Sequence, residues 1–129
     1  MSLRSPLGRV LGLGSAKGGS GHWYSQRMTA VALVILGLWF VASLALLGPG
    51  ASHESVVRWL SSPFTATMAV LLVLVGGYHA QLGMQVVLED YVGDKGLRTV
   101  VLTAVKFLLV TASILGVLAV LRLALGVQA

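Results

Sequence analysis

Charged side chains interrupt this chain at wide intervals, and the stretches between them are long and apolar. Met28 to Leu47 carries no charge, Trp59 to Leu88 carries none with His79 counted as neutral, and Thr99 to Leu121 carries only Lys106. Each run reaches the roughly 20 residues that a helix needs to cross a bilayer core. The pattern predicts an all-α membrane protein with three transmembrane helices, over about residues 28–48, 63–89 and 98–122. A basic arm over residues 1–26 precedes a membrane domain over residues 27–129. The first connection, GPGASHESVVRWLSSP, opens on a Gly-Pro-Gly breaker and closes on Ser61-Ser62-Pro63. Ser62 suits an N-cap and Pro63 a first helical position. Val56 to Leu60 predicts a short helix lying in the interface, with Trp59 as its anchor. The second connection is tight, around Gly93-Asp94-Lys95-Gly96, so the second and third spans are expected to be antiparallel neighbours.

Composition supports the membrane reading. Of 129 residues, 57% are hydrophobic and 10% charged, where a soluble domain carries about a quarter charged residues. There is no cysteine, which excludes disulfides, thiolate-held iron–sulfur clusters and covalently attached c-type haem. The net charge of +5 does not point to nucleic acid, because the basic residues gather at helix ends rather than along one stripe. Lipid head groups and membrane orientation account for them. Arg4, Arg9, Lys17, Arg27, Lys95 and Arg98 fall on one side, and Arg58 and Arg122 on the other, six against two. The positive-inside rule then puts the N-terminus in the cytoplasm or its equivalent. Lys106 lies about two turns into the third span, where its stem reaches back to the head groups. The N-terminal segment is basic and free of acids, without the continuous apolar core of a secretory signal; a mitochondrial transit peptide has a similar composition. Its GLGSAK piece fails the spacing of a phosphate loop.

The second span carries the chemistry. At about 100° per residue, Gly76, His79, Ala80 and Gly83 share one face. Small residues there serve either close helix–helix approach or room for a flat cofactor beside an axial ligand. His79 is about 15–18 Å from the helix end at Asp90 and Tyr91, near mid-bilayer. An imidazole at that depth is either a haem ligand or an interhelical hydrogen-bonding group, and the residues alone leave both open. His22 and His53 fall outside the expected spans. A haem held by two histidines would therefore take its second ligand from another chain. Asp90 returns to the face of His79, with Tyr91 beside it. A phenol next to a carboxylate at the head-group boundary suits hydrogen bonding and proton delivery to a quinone carbonyl. The plain alternative is an interfacial tyrosine anchor beside solvated acids. Arg27, on the same side, suits a carboxylate: Asp90 or a haem propionate. His22 and Trp23 lie beside it.

His79 followed by Gly83-Met84-Gln85, with Asp90-Tyr91 closing the same helix, resembles the smaller hydrophobic membrane anchor of succinate dehydrogenase, respiratory complex II. The approach to the first span, SAKGGSGHWYSQRMTAVAL, is similar to alphaproteobacterial members of that family. The resemblance implies a bacterial inner-membrane protein that assembles with a flavoprotein, an iron–sulfur protein and a larger cytochrome b anchor. It implies that His79 ligates haem b, with the other axial ligand from the larger anchor. It further implies that Tyr91 hydrogen-bonds ubiquinone, Asp90 supports that site, and Arg27 lies near the haem propionates. No succinate dehydrogenation is expected from this chain alone. Trimers of the whole complex occur in the family, and no residue here demonstrates one. The alternatives are an anchor of a quinol:fumarate reductase, or a non-redox membrane scaffold in which His79 packs or relays protons.

Overall fold

The computed structural model describes residues 19–126. The arm over residues 1–18, with Arg4, Arg9, Lys17 and the GLGSAK piece, lies outside the described residues. Four helices follow in order: α1 (Gly19–Leu47), α2 (His53–Leu60), α3 (Pro63–Tyr91) and α4 (Lys95–Ala124). Among the described residues, α1, α3 and α4 are long and apolar enough to cross a membrane. At 1.5 Å per residue each is about 43–45 Å long, which exceeds a ~30 Å hydrocarbon core, so their ends stand in the head-group layers or beyond. The chain is a multi-pass membrane protein.

The ends follow local chemistry. α1 begins at Gly19, well before the expected span, because the helix continues through a stretch holding the polar His22, Ser25 and Gln26. It stops at Gly48, whose φ of 81° closes the last turn with an N–H donated to Leu44 O. Gly50 also has a positive φ, 83°, so the breaker is a pair of left-handed glycines around a proline. Ser52 caps α2 by accepting from the Ser55 N–H, and Arg58 pairs with Glu54 at 2.7 Å one turn away. α2 is longer than expected, starting at His53. Trp59 is not a free anchor: its ring stacks on Trp39 of α1 with centroids 5.9 Å apart, and Phe40 and Phe64 complete the cluster. Ser62 and Pro63 open α3 as expected, though the Ser62 hydroxyl makes no capping bond. Asp94 starts α4 three residues earlier than expected, accepting from the Leu97 N–H at 2.7 Å.

α3 is the central element. It packs on α1 and on α4, while α1 and α4 share at most a marginal contact. The three spans therefore form an open layer, not a closed bundle. Two different sides of α3 make these contacts. A Cβ on Gly76 would meet Leu33 at 3.9 Å, and one on Gly83 would meet the Gln26 amide at 3.7 Å, both on α1. A Cβ on Gly77 would collide with Ser113 Oγ of α4, and one on Gly116 of α4 would come within 2.9 Å of Val73 Cγ1. Small residues thus bring α3 and α4 close, where dispersion contacts drive association within lipid, while on the α1 side a Cβ would make ordinary contact. Little is enclosed: Leu36, Leu60, Thr65, Ala69 and Leu82 are the buried residues among those described. Large apolar side chains such as Leu38, Phe107 and Leu108 stay about two-thirds exposed. A surface of that kind faces lipid or partner helices.

Candidate functional site

His79 is half-buried and faces α1. Its Nδ1 lies 2.8 Å from Thr29 Oγ1. The register that brings them together is antiparallel: Leu33 stands at Gly76, Thr29 at His79 and Gln26 at Gly83. Gly76 and Gly83 leave no side chain between the helices one turn on either side of the imidazole. A Cβ at either position would make only ordinary contact with Leu33 or Gln26 of this chain, which is compatible with both uses expected for them. The other ring nitrogen, Nε2, has no hydrogen-bond partner among the described residues, and it is not one of the enclosed unpaired atoms. The imidazole is thus held by one nitrogen and open at the other.

Polar groups continue along α1 toward its N-terminal end. His22, Gln26 and Thr29 follow one another at helical spacing on the face that meets α3. His22 Nε2 and Gln26 Oε1 are enclosed without a partner. Unpaired enclosed polar atoms are costly, and ordered water is the usual remedy where the site has room. His22 belongs to α1, inside the helix rather than in a loop before it, but seven residues separate it from Thr29. That is about 10 Å along the axis, too far to share a ligand with His79. His53 opens α2, beyond the opposite end of α1 and α3.

At the end of α3, Asp90 is exposed and Tyr91 is 86% exposed. The helix persists to Tyr91, so Asp90 does share the azimuth of His79, about 16 Å farther along. Arg27 does not reach Asp90. It lies two residues from Thr29, near the level of His79, and its guanidinium stands over the Trp23 ring, 5.6 Å from the centroid. Of the two carboxylates weighed for Arg27, Asp90 is not paired with it among the described residues, because the antiparallel register leaves about 13 Å of axial distance between them. Lys106 is exposed, but it is not isolated in apolar surroundings. With Gln81, Gln85 and Thr103 it lines an open groove of about 220 Å³ between α3 and α4, on the side of α3 turned away from His79.

Thr29 and Gln26 belong to the stretch before the first span that carries the resemblance, but the sequence alone assigns neither of them a role. Their signal was the spacing of His22, Gln26 and Thr29 on one side of α1, combined with the pairing register to α3. Among the described residues no group of three or more histidine, cysteine or acidic side chains is gathered for a metal ion. An imidazole with one open nitrogen fits a metal that is shared with another chain. It does not form a complete site.

A family model described as succinate dehydrogenase/fumarate reductase transmembrane subunit matches residues 1–123. The chain belongs to this family. A succinate dehydrogenase hydrophobic membrane anchor subunit of Rickettsia bellii is 38% identical over 104 residues, covering 80% of this chain and 82% of the relative. The subunit of the same description from Paracoccus denitrificans is 33% identical over 87 residues, 67% of each chain. The succinate dehydrogenase membrane anchor subunit of Reclinomonas americana is 31% identical over 90 residues, 65% of this chain and 72% of the relative. These matches agree with the resemblance drawn from the His79 to Tyr91 segment and from the approach to α1. Membership in this anchor family also explains the sparse interior: an anchor supplies helices to a larger assembly.

Proposed function

We propose that this chain is the smaller membrane anchor of a succinate:ubiquinone oxidoreductase in a bacterial inner membrane, with its N-terminus in the cytoplasm. Its partners are the flavoprotein, the iron–sulfur protein and the larger anchor of that complex. His79 would hold haem b together with a ligand from the larger anchor. Tyr91 and Asp90 form part of the quinone-reduction site at the cytoplasmic boundary. The observation that carries this reading is the imidazole of His79, mid-span, held through Nδ1 and open at Nε2. The residues fit the group. One free imidazole nitrogen matches half of a two-histidine site, and the chain holds no second histidine within reach. Haem, when bound, supplies a one-electron store at that depth. Arg27 fits a propionate carboxylate, because its guanidinium lies off the α1–α3 interface and starts near the level of His79.

The chain's own contribution to quinone reduction is at the tip of α3. The Tyr91 hydroxyl is free to donate to a quinone carbonyl oxygen, since among the described residues it is bonded to no other group. Asp90, next in the chain and exposed, is placed to pass protons from the aqueous side. Reduction of a quinone to a quinol consumes two electrons and two protons, so a site at the water boundary shortens the proton path. Tyr91→Phe in the purified complex tests this. Succinate:quinone reductase activity should fall by about 10²-fold, the low end of what a positioned proton donor contributes. Succinate oxidation by a soluble dye acceptor should persist. Full quinone reductase activity in Tyr91→Phe would remove Tyr91 from the site.

A further inference from the structure

We propose that Thr29 is a positioning residue for His79: its hydroxyl fixes the imidazole in the Nδ1–H tautomer and so presents Nε2 as the metal-binding lone pair. The proposal rests on the reading of His79 as a haem ligand and assigns the residue that makes it one. Thr29 Oγ1 lies 2.8 Å from Ser25 O, 3.1 Å from Gln26 O and 2.8 Å from His79 Nδ1. Carbonyl oxygens only accept, and the hydroxyl has one hydrogen. Back-bonding to the i−4 carbonyl is the ordinary habit of a threonine inside a helix. With that hydrogen directed at Ser25 O, the contact to His79 is satisfied only if Nδ1–H donates to Oγ1. The neutral ring then carries its lone pair on Nε2. The opposite tautomer needs the hydroxyl hydrogen for Nδ1, loses the Ser25 contact, and leaves a proton on the nitrogen that must bind iron.

The packing makes this arrangement stiff. Thr29 is β-branched and half-buried on the α1 face that meets α3. Gly76 and Gly83 flank His79 on α3 and put no side chain between the ring and α1. A ligand's outer hydrogen bond both orients its ring and raises its basicity, and loss of such a partner typically weakens metal binding by 10–100-fold. That outer bond would strengthen electron donation from Nε2, so with haem bound Thr29 would lower its potential.

The test uses the whole complex purified through this chain, with Thr29→Val, Thr29→Ser and His79→Ala. Valine keeps the shape and removes the hydroxyl; serine keeps the hydroxyl. Haem per flavin, the rate of haem transfer to apomyoglobin and the haem midpoint potential are measured. Thr29→Val is expected to release haem about 10-fold faster or more, with a positive shift of the potential. A tenfold change in ferric preference corresponds to about 59 mV for one electron. Thr29→Ser is expected to match the parent. Unchanged haem release and potential in Thr29→Val, with haem missing from His79→Ala, would overturn the role of Thr29 and leave the ligand assignment standing. Equal damage in Thr29→Ser and Thr29→Val would also overturn it, since the hydroxyl would then not be the feature that matters. Haem retained in His79→Ala would overturn the ligand assignment, and this proposal with it.

Discussion

Adjacent glycines in the middle of α3 are expected to respond to the same substitution with opposite signs. A methyl group at Gly76 would make an ordinary van der Waals contact, 3.9 Å from Leu33. At Gly77 it would collide with Ser113 Oγ and stand 3.3 Å from Ser113 Cβ. Alanine in place of glycine relieves backbone entropy by about 0.8–1 kcal/mol in a helix interior, so Gly76→Ala should be neutral or stabilising. Gly77→Ala gains the same amount and loses more. Rotation of Ser113 would relieve the hydroxyl but break its 2.8 Å bond to Leu109 O. The short Cβ–Cβ contact would remain and press α3 and α4 apart. Overpacking of this kind costs about 1–3 kcal/mol. The expected difference between the two variants is therefore about 2 kcal/mol, a factor of roughly 30 in the folding equilibrium. SDS-titration unfolding in mixed micelles, followed by tryptophan fluorescence, reads that difference; the stacked Trp39 and Trp59 supply the signal. Ser113→Gly added to Gly77→Ala should recover most of the loss. Equal stability of the two single variants, or no recovery in the double variant, would refute the packing assigned to α3 and α4.

Other outcomes follow from single contacts. Asp94→Ala should lower stability by about 1 kcal/mol through loss of the α4 cap, and Asp94→Asn should restore most of it in the same titration. Arg58→Ala should change stability by less than about 0.5 kcal/mol, because the Arg58–Glu54 pair is 77% and 80% exposed. Gly116→Ala should destabilise the chain, and Val73→Ala should suppress the effect, since the added Cβ would stand 2.9 Å from a stiff valine methyl.

The three spans were legible because uncharged runs of this length have few other physical explanations. Their ends were less so. α1 starts at Gly19 through polar and aromatic residues that carry no apolar period. α4 starts at Lys95 because Asp94 caps it, a signal that the glycines on either side obscured. His79 stood out because an imidazole inside a bilayer is expensive. Thr29 did not, because a threonine in a span ordinarily bonds its own helix, and it does so here as well. Only the register of α1 against α3 reveals its second contact. The same register puts Arg27 near the level of His79 and so separates it from Asp90 at the tip of α3. Pairing between helices is a long-range property, and no local pattern in either helix encodes it.

In the proposed function α3 presents His79 to iron. The most direct measurement is the dithionite-reduced optical spectrum of the complex purified through this chain, taken beside its His79→Ala variant. The account predicts a b-type α-band in the first that is lost in the second, with the flavoprotein and the iron–sulfur protein still copurifying. A band of undiminished height in His79→Ala, or a parent complex with no such band, would contradict it.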